Sequence, residues 1–306
     1  MALDELAGRS VLVTGGSGFI GANLCTALAD AGARVTAVSR RPPAREAPGV
    51  SWRTLDLTET GALKALLEDT SPEFIFHLAG YVTGARGIEH VLPALEANCT
   101  MAVNLMVAAA ALPGVRVVLA NSLEEPSPDE TDAPPVSPYA AAKLASTAYA
   151  RMFHSLYGLH ATPVRISMGY GPRQMDYRKL VPYAVGCALT GEAPRFSSGA
   201  RVCDWIYADD IVEGLVATAL SDRAAGEVVD IASGKMASVA DVVRRVFDVA
   251  GAPPPAFGAE PDRPLERLRM PDVERAFALT GWRAQFDLDQ GVRRTVDWYR
   301  AAMAEG

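Results

Sequence analysis

The stretch Thr14-Gly-Gly-Ser-Gly-Phe-Ile-Gly21 constrains this 306-residue chain more than any other. The β-branched run at 11–13 leads directly into it, and a helical pattern from 19 to 31, closed by Gly32, follows. Gly15 permits a tight turn, Gly18 lets the backbone approach a pyrophosphate, and Gly21 allows helix and sheet to pack closely. The helix opening at Phe19 and Ile20 turns free N–H groups and its positive dipole end toward the phosphates. Strand, turn and helix fall in register, so the stretch reads as a dinucleotide-binding turn.

The first half repeats this rhythm. Strands are expected at 11–13, 34–39, 51–55, 73–77, 115–120 and 163–167, with helices at 19–31, 58–68, 92–111 and 138–157 between them. Alternation at this spacing predicts an α/β fold, a Rossmann-type doubly wound parallel sheet covered on both faces. After residue 170 the prolines at 172, 182 and 194 break the pattern. A helix near 211–220, a strand near 228–231, a helix at 238–249 with Ser238 and Asp241 spaced as a capping box, a Pro-rich loop at 252–264 and a final helix at 288–303 remain. The expected division is a dinucleotide-binding domain over 1–170 and a smaller C-terminal α/β substrate lobe over 171–306, with some chain returning to the first.

Charge and composition narrow the function. A net charge of -7 argues against nonspecific nucleic-acid binding. No apolar run approaches the roughly 20 residues that span a bilayer, and acids stand where a signal peptide carries its basic region. The chain is therefore expected to be soluble and cytoplasmic. Its four cysteines include no CxxC pair and its four histidines show no ligand spacing, so no metal is expected. The cysteines read as reduced, mostly buried thiols, His77 as structural, and Met101, Met106 and Met152 as core.

Two further places carry chemistry. At the end of the second strand an NAD site usually presents an acid to the ribose 2′-hydroxyl, but here the chain reads Ser39-Arg40-Arg41. An arginine fork suits a 2′-phosphate, and no carboxylate in that stretch repels one, so NADP(H) is expected over NAD(H). Tyr139 and Lys143 are spaced to share a helix face, and Ser122 falls just past the fifth strand, at the sheet edge where such folds place ligands. A free tyrosine titrates near 10. A neighbouring ammonium and the cofactor's positive ring are expected to lower that value and make the phenol a usable acid–base.

With these residues in view, the chain resembles the extended short-chain dehydrogenase/reductase family of nucleotide-sugar epimerases, dehydratases and reductases. The resemblance runs over nearly the whole length: Thr14–Gly21, Asp56-Leu57, His77–Gly80, Asn98, Ser137–Lys143, Tyr170–Gln174, Asp204–Ile211, Thr280–Trp282 and Asp297–Tyr299. It implies Ser122, Tyr139 and Lys143 as the catalytic set. It also implies that Asp56 and Leu57 sit by the adenine, and that Leu78, Ala79, Gly80, Asn98 and Ile166 line the cofactor. A homodimer through the helices at 92–111 and 138–157 is the expected assembly.

The member reactions differ at few positions. The family's 4,6-dehydratases follow the catalytic hydroxyl with Asp-Glu, whereas this chain has Leu123-Glu124, and leucine transfers no proton. Glu124 is a candidate substrate contact or base. The arginine pair points to exchangeable NADPH, hence to reduction of the 4-keto group of a nucleoside-diphosphate 4-keto-6-deoxyhexose. The alternatives are a 4-epimerase or decarboxylase with tightly held NAD, and a reductase of a non-nucleotide carbonyl. The substrate pocket departs from the family at Val82, at Met168 in place of an asparagine, and at Cys203-Asp204-Trp205 in place of Arg-Asp-Phe. One lost arginine–phosphate bond costs about 1.5–3 kcal/mol, and Arg201 and Arg263 are the expected replacements.

Overall fold

The computed structural model describes residues 2–41, 47–126, 134–262 and 268–305. After a 3-10 turn at Ala2–Leu6 come β1 (Ser10–Thr14), α1 (Phe19–Asp30), β2 (Arg34–Ser39), β3 (Val50–Thr54), α2 (Thr60–Thr70) and β4 (Phe74–His77). Then follow α3 (Val91–Leu95), a π-helical turn at Glu96–Thr100, α4 (Met101–Ala109), β5 (Arg116–Ser122), α5 (Pro138–Tyr157), β6 (His160–Ile166) and β7 (Met168–Tyr170). The remainder is α6 (Leu180–Thr190), β8 (Val202–Tyr207), α7 (Ala208–Leu220), β9 (Val229–Ile231), β10 (Met236–Ser238), α8 (Val239–Ala250), α9 (Val273–Thr280) and α10 (Leu288–Glu305).

Seven strands form a parallel sheet in the order β3-β2-β1-β4-β5-β6-β9, the doubly wound topology. Successive strand residues point to opposite faces, so each strand feeds two cores. Leu12, Val38, Ile75, Val117 and Leu119 pack on α2, α4 and α5. Val11, Val13, Val35, Phe76 and Val118 pack on α1 and α7. The second sheet, β10-β8-β7, carries the lobe with α6, α8 and α10 over a third core. Strand β9 returns to the main sheet beside β6.

Three sequence expectations change. The run at 92–111 is not one α-helix: the π-turn at Glu96–Thr100 splits it, one extra residue re-aiming the side chains there. The helical run 88–109, 22 residues with a mean hydropathy of 1.4 over its most apolar 18, is also long and apolar enough by length and composition to cross a membrane, contrary to the expectation of no such run. Here its Met101, Ala102, Leu105 and Met106 are buried against the sheet. The third concerns Pro182, which does not interrupt structure but sits in the first turn of α6, where its missing N–H has no partner to lose.

Candidate active site

The C-terminal edge of the parallel sheet gathers the ends of β1, β2, β4, β5 and β6. At the β1 end, Gly15 adopts φ +71, and a Cβ there would lie 2.6 Å from Ala79 N and 2.7 Å from Leu78 C. At Gly21 a Cβ would meet Gly15 O at 2.2 Å. Both close approaches admit only hydrogen, and the turn is tied to β2 by Gly15 N donating to Val38 O at 2.8 Å. Gly18 is the N-cap of α1 and makes no side-chain cap, so the amides of Phe19 and Ile20 open the helix without one. These are the features a pyrophosphate requires.

Ser39 is buried at the end of β2, where its hydroxyl donates to Arg41 O, and Arg40 and Arg41 are exposed. Asp56, just after β3, accepts from Thr58 N at 3.0 Å and Thr58 Oγ1 at 2.9 Å. Those bonds, and the charge of Arg40, hold its carboxyl below the usual range. The strand end is therefore not clear of acid as its own sequence suggested: folding brings Asp56 within electrostatic reach of Arg40. Leu57 is buried in the sheet core, and its carbonyl accepts from Asn104 at 3.2 Å.

Beyond β4, Leu78 N donates to Thr14 O, placing Leu78, Ala79 and Gly80 along the glycine turn. His77 pairs with Thr14 Oγ1 at 2.9 Å and is fully enclosed, and burial lowers its pKa to about 3, so it is neutral and braces the turn. Asn98 is 1% exposed on the π-turn, with Oδ1 accepting from Tyr81 N and Nδ2 donating to Tyr81 O, both at 3.1 Å. A Cβ on Gly80 would lie 2.6 Å from Asn98 Oδ1 and 3.5 Å from Lys143 Nζ. Asn98, Gly80 and Lys143 thus meet at one point.

The catalytic candidates assemble from β5 and α5. Ser137 caps α5 by accepting from Ala140 N at 3.1 Å, and Pro138 pre-sets its first turn. Tyr139 and Lys143, one turn apart, are 7% and 5% exposed. The Ser122 hydroxyl hydrogen-bonds the Tyr139 side chain, and Lys143 Nζ lies 6.0 Å from the Tyr139 ring centroid. The ammonium's part of the expected lowering of the phenol is not found. Burial and the neighbouring Glu124 push Tyr139 up, the Ser122 bond pulls it down, and Lys143 instead donates to Ala120 O at 2.6 Å. Burial lowers the ammonium of Lys143 to about 8. Ile166 is the register partner of Ser122 on β6.

The expected substrate residues do not all converge. Glu124 joins the set, its amide donating to Ser122 Oγ at 3.1 Å. Val82, 62% exposed, lies beyond Tyr81, and its carbonyl accepts from Lys179 of the lobe at 3.3 Å. Met168 follows β6 into the small sheet, opposite Trp205. Arg201 precedes β8, where its carbonyl accepts from Val239 N at 2.8 Å. Arg263 lies outside the described residues. Trp205 is core, its Nε1 donating to Ala237 O at 3.0 Å. Cys25, Cys99 and Cys187 are buried. Sequence reasoning missed Glu125, which is buried under Ser122. The only signal was the second acid of Glu124-Glu125.

Comparison with known proteins bears on the family and the fold. The profile of the NAD dependent epimerase/dehydratase family matches residues 11–232. The chain is 29% identical over 315 residues to the UDP-glucose 4-epimerase of Mycolicibacterium smegmatis, covering 94% of this chain and 98% of that one. It is 28% identical over 316 residues to the dTDP-glucose 4,6-dehydratase of an Actinoplanes species, covering 95% and 98%. The Bordetella bronchiseptica enzyme WbmF, solved with NAD+ and UDP, superposes with a TM-score of 0.83 at 28% identity over 99% of this chain and 95% of that one.

Proposed function

The chain belongs to the NAD dependent epimerase/dehydratase family, and from that premise we propose that it reduces the 4-keto group of a nucleoside-diphosphate 4-keto-6-deoxyhexose with NADPH. The observation that carries this reading is the meeting of half-buried Ser122 with buried Tyr139 and Lys143, and Leu123 directly after the serine, a side chain with no proton to move. A dehydration needs an acid at that place. The arginines exposed at the end of β2 support the phosphorylated cofactor.

When bound, the dinucleotide supplies the hydride for the carbonyl carbon. Everything else falls to this chain. Ser122 holds the reacting oxygen, and Tyr139 donates a proton to the alkoxide that forms there. A phenol at or above its ordinary value near 10 is protonated at neutral pH, so Tyr139 holds the proton the acid role needs. Lys143, charged below about 8 and meeting Gly80 and Asn98 at one point, would hold the nicotinamide ribose. Leu78, Ala79, Ile166 and the glycine turn would line the cofactor, and Asp56 and Leu57 would take the adenine end. Glu124, whose amide donates to Ser122 Oγ, faces the sugar.

A second reading, a 4-epimerase or decarboxylase holding NAD, is favoured by Asp56 beside Arg40 and by the NAD+ bound to WbmF. Cofactor oxidation with a 4-keto-6-deoxy nucleotide sugar, followed by absorbance, separates the two. NADPH turnover well above NADH turnover supports the reductase. No oxidation with either, with NAD retained through purification, overturns it. Leu92, Leu95, Tyr149 and Leu156 expose apolar surface on α3 and α5, which supports a homodimer. Light scattering on Leu92→Asp with Leu156→Asp is expected to give a monomer, and an unchanged mass would refute that face.

A further inference from the structure

One buried acid at the site has no part in the chemistry above. Glu125 is 2% exposed, yet both carboxylate oxygens are engaged. Oε1 accepts from the Ser122 amide at 3.0 Å, and Oε2 accepts from the Thr147 hydroxyl at 2.7 Å. Thr147 in turn accepts from Asn121 Nδ2, which also donates to Lys143 O at 3.2 Å. The Thr147 proton is thereby committed to Glu125, and Asn121 ties the network to the backbone of the catalytic lysine. A buried carboxylate is destabilising unless it is paired and hydrogen-bonded, so the arrangement calls for a compensating partner.

The charged and titratable groups around Glu125 identify that partner. From α5 it faces Lys143 and Tyr139. From β6 it faces Arg165, which already has a bidentate partner in Asp230 of β9 at 2.7 and 2.9 Å. Glu124 is its neighbour in its own segment, and the neutral His77 of β4 faces Lys143. With Arg165 satisfied, Lys143 is the facing cation that, among the described residues, has no carboxylate within ion-pair distance.

We propose that Glu125 is a positioning residue: it fixes Ser122 through the backbone amide and keeps a negative charge behind Lys143, so that the lysine stays an ammonium in a desolvated site. This rests on the reading of Ser122, Tyr139 and Lys143 as the catalytic set. Burial raises the carboxyl of Glu125 above the ordinary range, by more than the Ser122 amide, Thr147, Lys143 and Arg165 lower it. Glu125→Gln therefore mimics its protonated form.

The chain has only four lysines, Lys64, Lys143, Lys179 and Lys235, so an NMR titration of protein labelled with 13C at lysine Cε resolves Lys143, assigned by its loss in Lys143→Arg. The expected result for Glu125→Gln is a Lys143 midpoint lower by about one pH unit, with the pH profile of turnover moving the same way. Glu125→Asp keeps the charge but draws the oxygens back from Ser122, so turnover falls while the lysine midpoint stays near wild type. Should Glu125→Gln not fold, Thr147→Val weakens the carboxylate and lowers the midpoint by less. A Lys143 midpoint unmoved in the folded variant overturns the proposal. The titration needs no substrate, so absent 4-keto turnover by wild-type protein condemns the substrate reading alone.

Discussion

Burying Lys143 should leave a signature in the pH dependence of stability. Its ammonium titrates at about 8 in the folded protein against 10.5 for a free lysine, because burial disfavours the charge and Glu125 restores only part of it. The folded value lies below the unfolded one, so between pH 8 and 10.5 the unfolded chain binds the extra proton. Stability therefore rises with pH across that window and is flat below it. At about 1.4 kcal/mol per pH unit, the full penalty is roughly 3 kcal/mol. Lys143→Met removes the titration and retains a chain of similar length. It also leaves Ala120 O without its donor, so the sign of the change at one pH is not diagnostic, whereas the slope is. Urea unfolding of both proteins at pH 7.5, 8.5 and 9.5 measures it. The wild type should gain about 2 kcal/mol on the variant over that range, other titrations cancelling in the difference. A difference flat to within about 0.5 kcal/mol would refute the buried, charged lysine.

Three further outcomes are expected. Tyr139→Phe should lose about 10²–10⁴-fold in turnover with an unchanged thermal transition, since it removes one proton donor from a packed ring. Gly15→Ala should abolish dinucleotide binding by calorimetry, because a Cβ at φ +71 and 2.6 Å from Ala79 N forces the turn off the β4 end. Arg40→Ala with Arg41→Ala should raise the KM for NADPH at least about tenfold and leave that for NADH unchanged, one charge-assisted bond being worth about 1.5–3 kcal/mol. Equal effects on both cofactors would refute a 2′-phosphate contact.

The legible parts of this protein were the local ones. Gly15, Gly18 and Gly21 announce a strand–turn–helix because each glycine answers to backbone geometry within a few residues. Tyr139 and Lys143 announce a shared helix face by spacing alone, and Ser238 with Asp241 does form the capping box, Asp241 N donating to Ser238 Oγ at 3.0 Å. Pro182 misled because a proline reads as a breaker until its position in a helix is known. The π-turn that aims Asn98 at Tyr81 gave no signal in an apolar run that suits any helix.

What sequence alone determined here is the doubly wound class, the glycine turn between β1 and α1, and the helix spacing that puts Tyr139 and Lys143 one turn apart. Tertiary structure decided the electrostatics of that set. Asp56 and Arg40 meet only when β2 and β3 pair. The phenol of Tyr139 rises rather than falls because burial and Glu124 outweigh the Ser122 hydrogen bond. Glu125, buried, comes within electrostatic reach of Lys143 only once β5 and α5 pack together. Backbone conformation answers to neighbours in the chain, whereas the energy of a charge depends on every dipole and water molecule removed around it, and those are set by residues distant in sequence.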